Sequence, residues 1–173
     1  MKPITVLSSL IGLALAGVVA YLARAAADVP AASTSLAKVP PGYRDWKFVS
    51  IAREDAPLDD IRVILGNDTA IAAYRAAKQP FPEGTIIARL AYTYDVSQEN
   101  NVAFGHSQSH VAGLPKNGVQ FMMKDSKAYA NTGGWAFAQF DDGKLVDKAM
   151  LQTCFPCHQA AHARDFVFTR YAP

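Results

Sequence analysis

The chain has 173 residues, half of them hydrophobic, and its 17 basic residues nearly balance 15 acidic ones. So even a charge balance gives no electrostatic footprint for nucleic acid, and directs attention to small molecules and other proteins as partners. The length suits one domain with one core, and no internal repeat or low-complexity tract is present.

Lys2 precedes an apolar run from Ile4 to Leu22, and Ala25-Ala26-Ala27 follow it ahead of Asp28. A positive start, an apolar stretch and small residues make residues 1–27 a secretory signal pattern. At about 19 residues the run is also long enough to span a bilayer as an uncleaved anchor. Ser8, Ser9, Gly12 and Gly17 soften it, so cleavage is the preferred expectation. Cleavage removes Lys2 and Arg24 and leaves equal numbers of basic and acidic residues. Residues 28–42, rich in Ala, Ser and Pro, predict a flexible spacer, and residues 43–173 the folded domain.

Within that domain, Asp45 to Ile51 alternates polar and apolar residues as a half-buried strand does. Ile61 to Leu65 is a second β-branched run, stopped at Gly66-Asn67. Asp68 or Thr69 can cap a helix running to Lys78, with Ala70, Ile71, Ala73 and Tyr74 inward. Gln79 to Gly84, with two prolines and a glycine, predicts a turn, and Thr85 to Tyr94 a long strand. Residues 95–117 are polar and predict a long loop. Val119 to Met123 and Trp135 to Phe140 predict two more strands, with a helical turn from Asp125 to Asn131 between them. Lys148 to Thr153 predicts a short helix, and Phe166 to Thr169 a last strand. The expected fold class is α+β: a mainly antiparallel sheet with short flanking helices.

The chain's two cysteines both lie in Cys154-Phe155-Pro156-Cys157-His158. C-x-x-C-H is the attachment signature of a c-type haem, two thiols for the vinyl groups and a histidine for the iron. Other uses of these residues fit less well. A thioredoxin-like C-x-x-C belongs near a βαβ pattern, which is missing here. A zinc site needs four ligands, and His162 is at no common zinc spacing. A disulfide across two residues is strained and stabilises little. One covalent haem c, held by Cys154 and Cys157 with His158 on the metal, is therefore the expected cofactor. Together with the N-terminal pattern it predicts a periplasmic protein.

Four blocks occur in one order: Tyr43-Arg44-Asp45-Trp46; Phe81-Pro82-Glu83-Gly84-Thr85; Lys124-Asp125-Ser126 followed by Gly134-Trp135-Ala136-Phe137; and C-x-x-C-H followed by Asp165 to Tyr171. That series resembles the cytochrome P-460 family, which includes the β-sheet cytochromes c′, over about residues 41–173. The resemblance implies an antiparallel sheet, a homodimer, and a five-coordinate haem with an open distal face. Members oxidise hydroxylamine or bind nitric oxide and related small ligands.

Catalytic members carry a lysine, cross-linked to the haem edge, on the strand after the F-x-[DE]-G-T turn. Arg89 stands at the matching position here, and a slip of one residue gives Ala88 or Leu90. A distal glutamate before the K-D-S block is matched by Gln120, which cannot act as a carboxylate base. Arg62 matches a distal arginine. As ordinary strand residues, Arg62 and Arg89 would snorkel at the surface and Gln120 would be solvated. Phe81, Phe121, Met122 and Met123 are either plain core or an apolar pocket lining, and the two methionines should face opposite ways.

Three functions remain open on these grounds. The first is binding of a small nitrogen-containing ligand such as nitric oxide. The second is oxidation of hydroxylamine. The third is electron transfer with a partner cytochrome through a six-coordinate iron, for which His106 or His110, sharing a helix face, are candidate ligands.

Overall fold

The computed structural model describes residues 36–172. It is α+β, built on a six-stranded antiparallel sheet in the order β1-β2-β3-β4-β5-β6. The strands are β1 Lys47–Glu54, β2 Asp60–Gly66, β3 Ile86–Val96, β4 His110–Lys124, β5 Trp135–Asp141 and β6 Lys144–Leu145. Every strand therefore pairs with its neighbour in sequence. The helices are α1 Asp68–Arg75, α2 Gln98–Phe104, α3 Lys148–Leu151 and α4 Cys154–His158. Among the described residues no helix is long and apolar enough to cross a membrane. The segment 1–27, with its signal pattern, lies outside the described residues.

Strand alternation sorts the core onto the two faces of the sheet. One face carries Leu65, Ala88, Leu90, Phe121, Met123, Ala138 and Phe140. Tyr43 and Trp46 pack edge-on against Phe121 there, with centroids at 5.3 and 6.3 Å. Leu36 and Val39 join the same cluster. Of the segment 28–42, residues 28–35 lie outside the described residues, and Leu36 and Val39 bury apolar surface against the sheet. The opposite face carries Ile64, Ile87, Met122 and Phe137, covered by α1, Phe81, Val167 and Tyr171. Met122 and Met123 do face opposite ways. On β1 only Val49 is buried, and a bulge beside it leaves Phe48 and Ile51 exposed.

Several sequence expectations need correction. The cap of α1 is Asn67, one residue earlier than expected. Its Oδ1 accepts from the Ala70 and Ile86 amides at 2.9 and 3.1 Å, and its Nδ2 donates to the Gly84 carbonyl at 2.8 Å. The helix stops at Arg75 rather than Lys78, since Ala77 adopts φ 49°.

Residues 95–117 are not a loop. Ser97 caps α2, Gly105 ends it in the left-handed region, and β4 begins at His110 opposite Val96. Asn101 ties the connection together by accepting from the Gln108 and Ser109 amides. The polar composition reflects a hairpin that projects into solvent. Where β4 re-enters the core it bulges at Asn117-Gly118, both at positive φ. A Cβ on Gly118 would lie 2.0 Å from the Phe140 carbonyl, so glycine is required.

Residues 166–169 form no strand. Asp165 and Phe166 take φ 51° and 64°, which turns the chain and sends the Phe166 amide to the Ala161 carbonyl. The β5–β6 hairpin, turning at Asp142-Gly143, was not anticipated.

Asn67→Ala removes a helix cap together with two bonds to the following turn and strand. We expect a loss of about 2–3 kcal/mol, read from the urea unfolding midpoint. A loss below about 0.5 kcal/mol would show the three bonds to be redundant.

Candidate functional site

The cysteine motif occupies α4, which follows α3 after a short break. Asp147 caps α3, accepting from the Met150 amide at 2.8 Å. Cys154 and Cys157 are both free thiols, three residues apart on adjoining turns. Cys154 is half-buried, and that burial pushes its thiol pKa up, while Cys157 is exposed.

His158 sits next to them among aromatic rings. Phe137 of β5 lies 4.9 Å from its ring and Phe168 lies 5.3 Å away. Its Nδ1 is 2.7 Å from the Phe166 carbonyl oxygen. A carbonyl only accepts, so Nδ1 carries the proton and Nε2 keeps its lone pair. Burial pushes the His158 pKa down, which holds the ring in the neutral form a metal needs.

The Phe166 carbonyl is itself positioned by a buried ion pair that sequence reading missed. Lys124 Nζ lies 2.7 Å from Asp165 Oδ1, with the two side chains 5% and 9% exposed. The same ammonium donates to the Gly133 carbonyl at 3.1 Å and lies 5.0 Å from the Trp135 ring centroid. The other Asp165 oxygen accepts from the Phe81 amide at 2.8 Å. The K-D-S block and the segment after C-x-x-C-H both held a partner, but nothing in either block pairs Lys124 with a residue 41 positions away.

On the sheet face that carries Phe137, three strands present Arg89, Gln120 and Gln139 side by side. Arg89 pairs with Gln120 and Gln120 with Gln139 in the strand register. Arg89 Nη1 donates to Gln120 Oε1 at 2.8 Å, and Gln120 Nε2 donates to Gln139 Oε1 at 2.7 Å. Arg89 Nη2 donates to Asp60 Oδ2 at 2.7 Å. Arg62 Nε donates to the other Asp60 oxygen at 2.8 Å. Asp60 is fully buried, and the Arg62 and Arg89 side chains are only 14% and 18% exposed.

Neither arginine snorkels, because Asp60 draws both guanidinium groups inward, and Gln120 is half-buried between Arg89 and Gln139. Burial, with repulsion from Arg62, pushes the Arg89 pKa down, partly offset by Asp60. The sequence reading brought Arg62, Arg89 and Gln120 forward; the structure joins all three and adds Asp60 and Gln139. Alternation along β2 and β5 was the signal that could have found both.

The histidines considered as further ligands are elsewhere. His106 lies just beyond α2 and bonds Gln108, while His110 opens β4 and stacks on Tyr94 at 4.4 Å. They share no helix face, and His110 is about 20 Å along the strands from the Arg89–Gln120 pair. Among the described residues no group of three or more His, Cys, Asp or Glu converges as a metal site.

The residues present fit a haem. Two unpaired thiols and an unengaged imidazole Nε2 stand on one short helix. An apolar cleft of about 530 Å³ opens beside it, walled by Trp135, Phe137, Leu151, Phe155 and Pro156. A six-stranded antiparallel meander bearing such a helix defines the class, a sheet protein equipped to hold haem. Residues 40–169 match the family model Cytochrome P460, so the chain belongs to that family, and its cofactor is haem. A sequence search among curated proteins finds no match.

Lys124→Met leaves the Asp165 carboxylate buried without its cation. We expect a loss of about 3–5 kcal/mol by denaturant unfolding. Adding Asp165→Asn to that variant should recover part of it, since the amide still accepts from Phe81. An equal loss in the double variant would show that packing, not charge, sets the cost.

Proposed function

We propose that the chain is an exported, periplasmic mono-haem c-type cytochrome whose open coordination position takes nitric oxide or a similar small nitrogen ligand. The observation that carries this is the α4 helix: two free thiols, and beside them a histidine with its Nδ1 proton engaged and its Nε2 lone pair unengaged. Cys154 and Cys157 are the proposed covalent anchors and His158 the proximal ligand. A haem held by Cys154, Cys157 and His158 would supply an iron able to bind a small ligand. The Phe166 carbonyl orients the imidazole and raises its basicity, as partners of metal-bound histidines do. Phe137 and Phe168 pack against the histidine ring, and Phe155 lies beyond Phe137.

The polar row on the sheet supports ligand binding over hydroxylamine oxidation. Oxidising hydroxylamine removes protons along with electrons and needs a base. Arg62 and Arg89 only donate, Gln120 is no base, and the Asp60 carboxylate is held by two guanidinium groups. Arg89 in place of a lysine leaves no amine for a cross-link at that position. Electron exchange would require a partner, for which a second cytochrome is the natural choice. The family resemblance makes a homodimer the expected assembly.

Acid–acetone treatment of the purified holoprotein should leave the haem on the chain, and Cys154→Ala/Cys157→Ala should release it. The ferric spectrum should be that of an ordinary high-spin c-haem that shifts on adding nitric oxide. A low-spin spectrum unmoved by nitric oxide would leave an electron carrier instead. A red-shifted ferrous Soret band would reveal a cross-link and revive the hydroxylamine oxidase.

A further inference from the structure

We propose that Lys124 and Phe166 are positioning residues for the iron: together they fix the hydrogen bond that sets how strongly His158 binds the iron of a bound haem. This rests on the reading of His158 as the proximal ligand. The observation that carries it is backbone strain. Asp165 and Phe166 are consecutive non-glycine residues in the left-handed region, at φ 51° and 64°. Such residues are costly and persist only where their surroundings hold them in place. The second of them supplies the carbonyl that lies 2.7 Å from His158 Nδ1. The strained pair therefore delivers the one carbonyl that meets the imidazole.

Two anchors hold that pair, and Lys124 touches both. Asp165 is held at each carboxylate oxygen, by the Lys124 ammonium at 2.7 Å and by the Phe81 amide at 2.8 Å. The Phe166 ring lies on the backbone of Gly133, where a Cβ would come within 2.1 Å of it, and packs against Phe155 at 5.4 Å. Glycine at 133 is thus the seat for the ring. Lys124 also donates to the Gly133 carbonyl at 3.1 Å, so one ammonium fixes both the seat of Phe166 and the side chain of Asp165. Three backbone bonds, from the Asp165, Phe166 and Val167 amides to His162, Ala161 and Arg164, close the turn on itself. They tie it only to the segment that follows His158. Lys124 ties it to β4, which pairs with the strand whose Phe137 packs on the imidazole.

The chemical consequence follows from the direction of the bond. A carbonyl accepting from Nδ1–H makes Nε2 more basic. A more basic proximal ligand binds iron more strongly and favours its ferric state. Loosening the carbonyl should therefore weaken the iron–histidine bond and raise the midpoint potential. The test uses the holoprotein and two variants that leave the net charge unchanged, Lys124→Met/Asp165→Asn and Phe166→Leu. Resonance Raman of the ferrous protein reads the iron–histidine stretch, and a redox titration reads the potential. In both variants the stretch should shift to lower frequency and the potential should rise.

Neutralising the pair recovers stability but not position. The double variant should therefore keep its low frequency even though it unfolds later than Lys124→Met alone. Asn67→Ala, destabilised at a distance from the histidine, should keep the wild-type frequency and potential, which separates positioning from stability. Phe166→Leu carries the test should the double variant fold poorly. Wild-type frequency and potential in both variants would show that the three backbone bonds hold the carbonyl unaided, and overturns the positioning role with the open site intact. A six-coordinate iron with no iron–histidine band overturns the open site instead, and the potential then decides the positioning role by itself.

Discussion

The ion pair between Lys124 and Asp165 is the constraint on which the geometry around the cysteine motif depends. It joins the end of β4 to the C-terminal segment at a place where water is excluded. Such a pair is weak evidence for stability, since desolvating both charges offsets most of their attraction. Its value is in position. Asp165 uses its second oxygen to hold the Phe81 amide, so the turn after α1, the end of β4 and the C-terminal segment meet at one carboxylate. The next carbonyl along the chain, that of Phe166, then reaches the His158 ring. A misplaced Asp165 would free that carbonyl, and the imidazole would lose its fixed tautomer.

The sheet supplies the second half of the site by register alone. Antiparallel pairing places Arg89, Gln120 and Gln139 directly opposite one another, where cross-strand side chains touch. Alternation puts Ala88, Phe121 and Ala138, their immediate neighbours in sequence, on the other face, where they fill the main core. One set of three strands thus builds a dry core on one side and a polarised row on the other. The bulge at Asn117-Gly118 confines this arrangement to the inner part of the sheet, because beyond it the β3–β4 hairpin runs out into solvent.

Periodicity made most of the sheet legible. Ile61 to Leu65, Thr85 to Tyr94, Val119 to Met123 and Trp135 to Phe140 are all strands, since β-branched and aromatic runs bounded by Gly, Pro or Asn have few other uses. It failed where local composition and long-range pairing disagree. His110 to Gly118 reads as loop because its side chains are solvated, yet its backbone is paired to β3. Phe166 to Thr169 reads as strand because it is apolar, yet Asp165 and Phe166 turn at positive φ to serve the ion pair and the histidine. Asn67 took the cap from Asp68 because one amide side chain satisfies a helix end, a strand amide and a turn carbonyl together.

The pentapeptide Cys154 to His158 and the order of the surrounding blocks were enough to point to haem and to the family, because both are carried by residue types at short fixed spacing. Arg62, Arg89 and Gln120 could likewise be picked out one by one. That they form one unit, with Asp60 at its root and Gln139 at its end, only the tertiary structure decided. Each hydrogen bond in that row spans a strand crossing, and its direction comes from Arg89 being unable to accept. Neither property is written in the neighbourhood of any one of these residues.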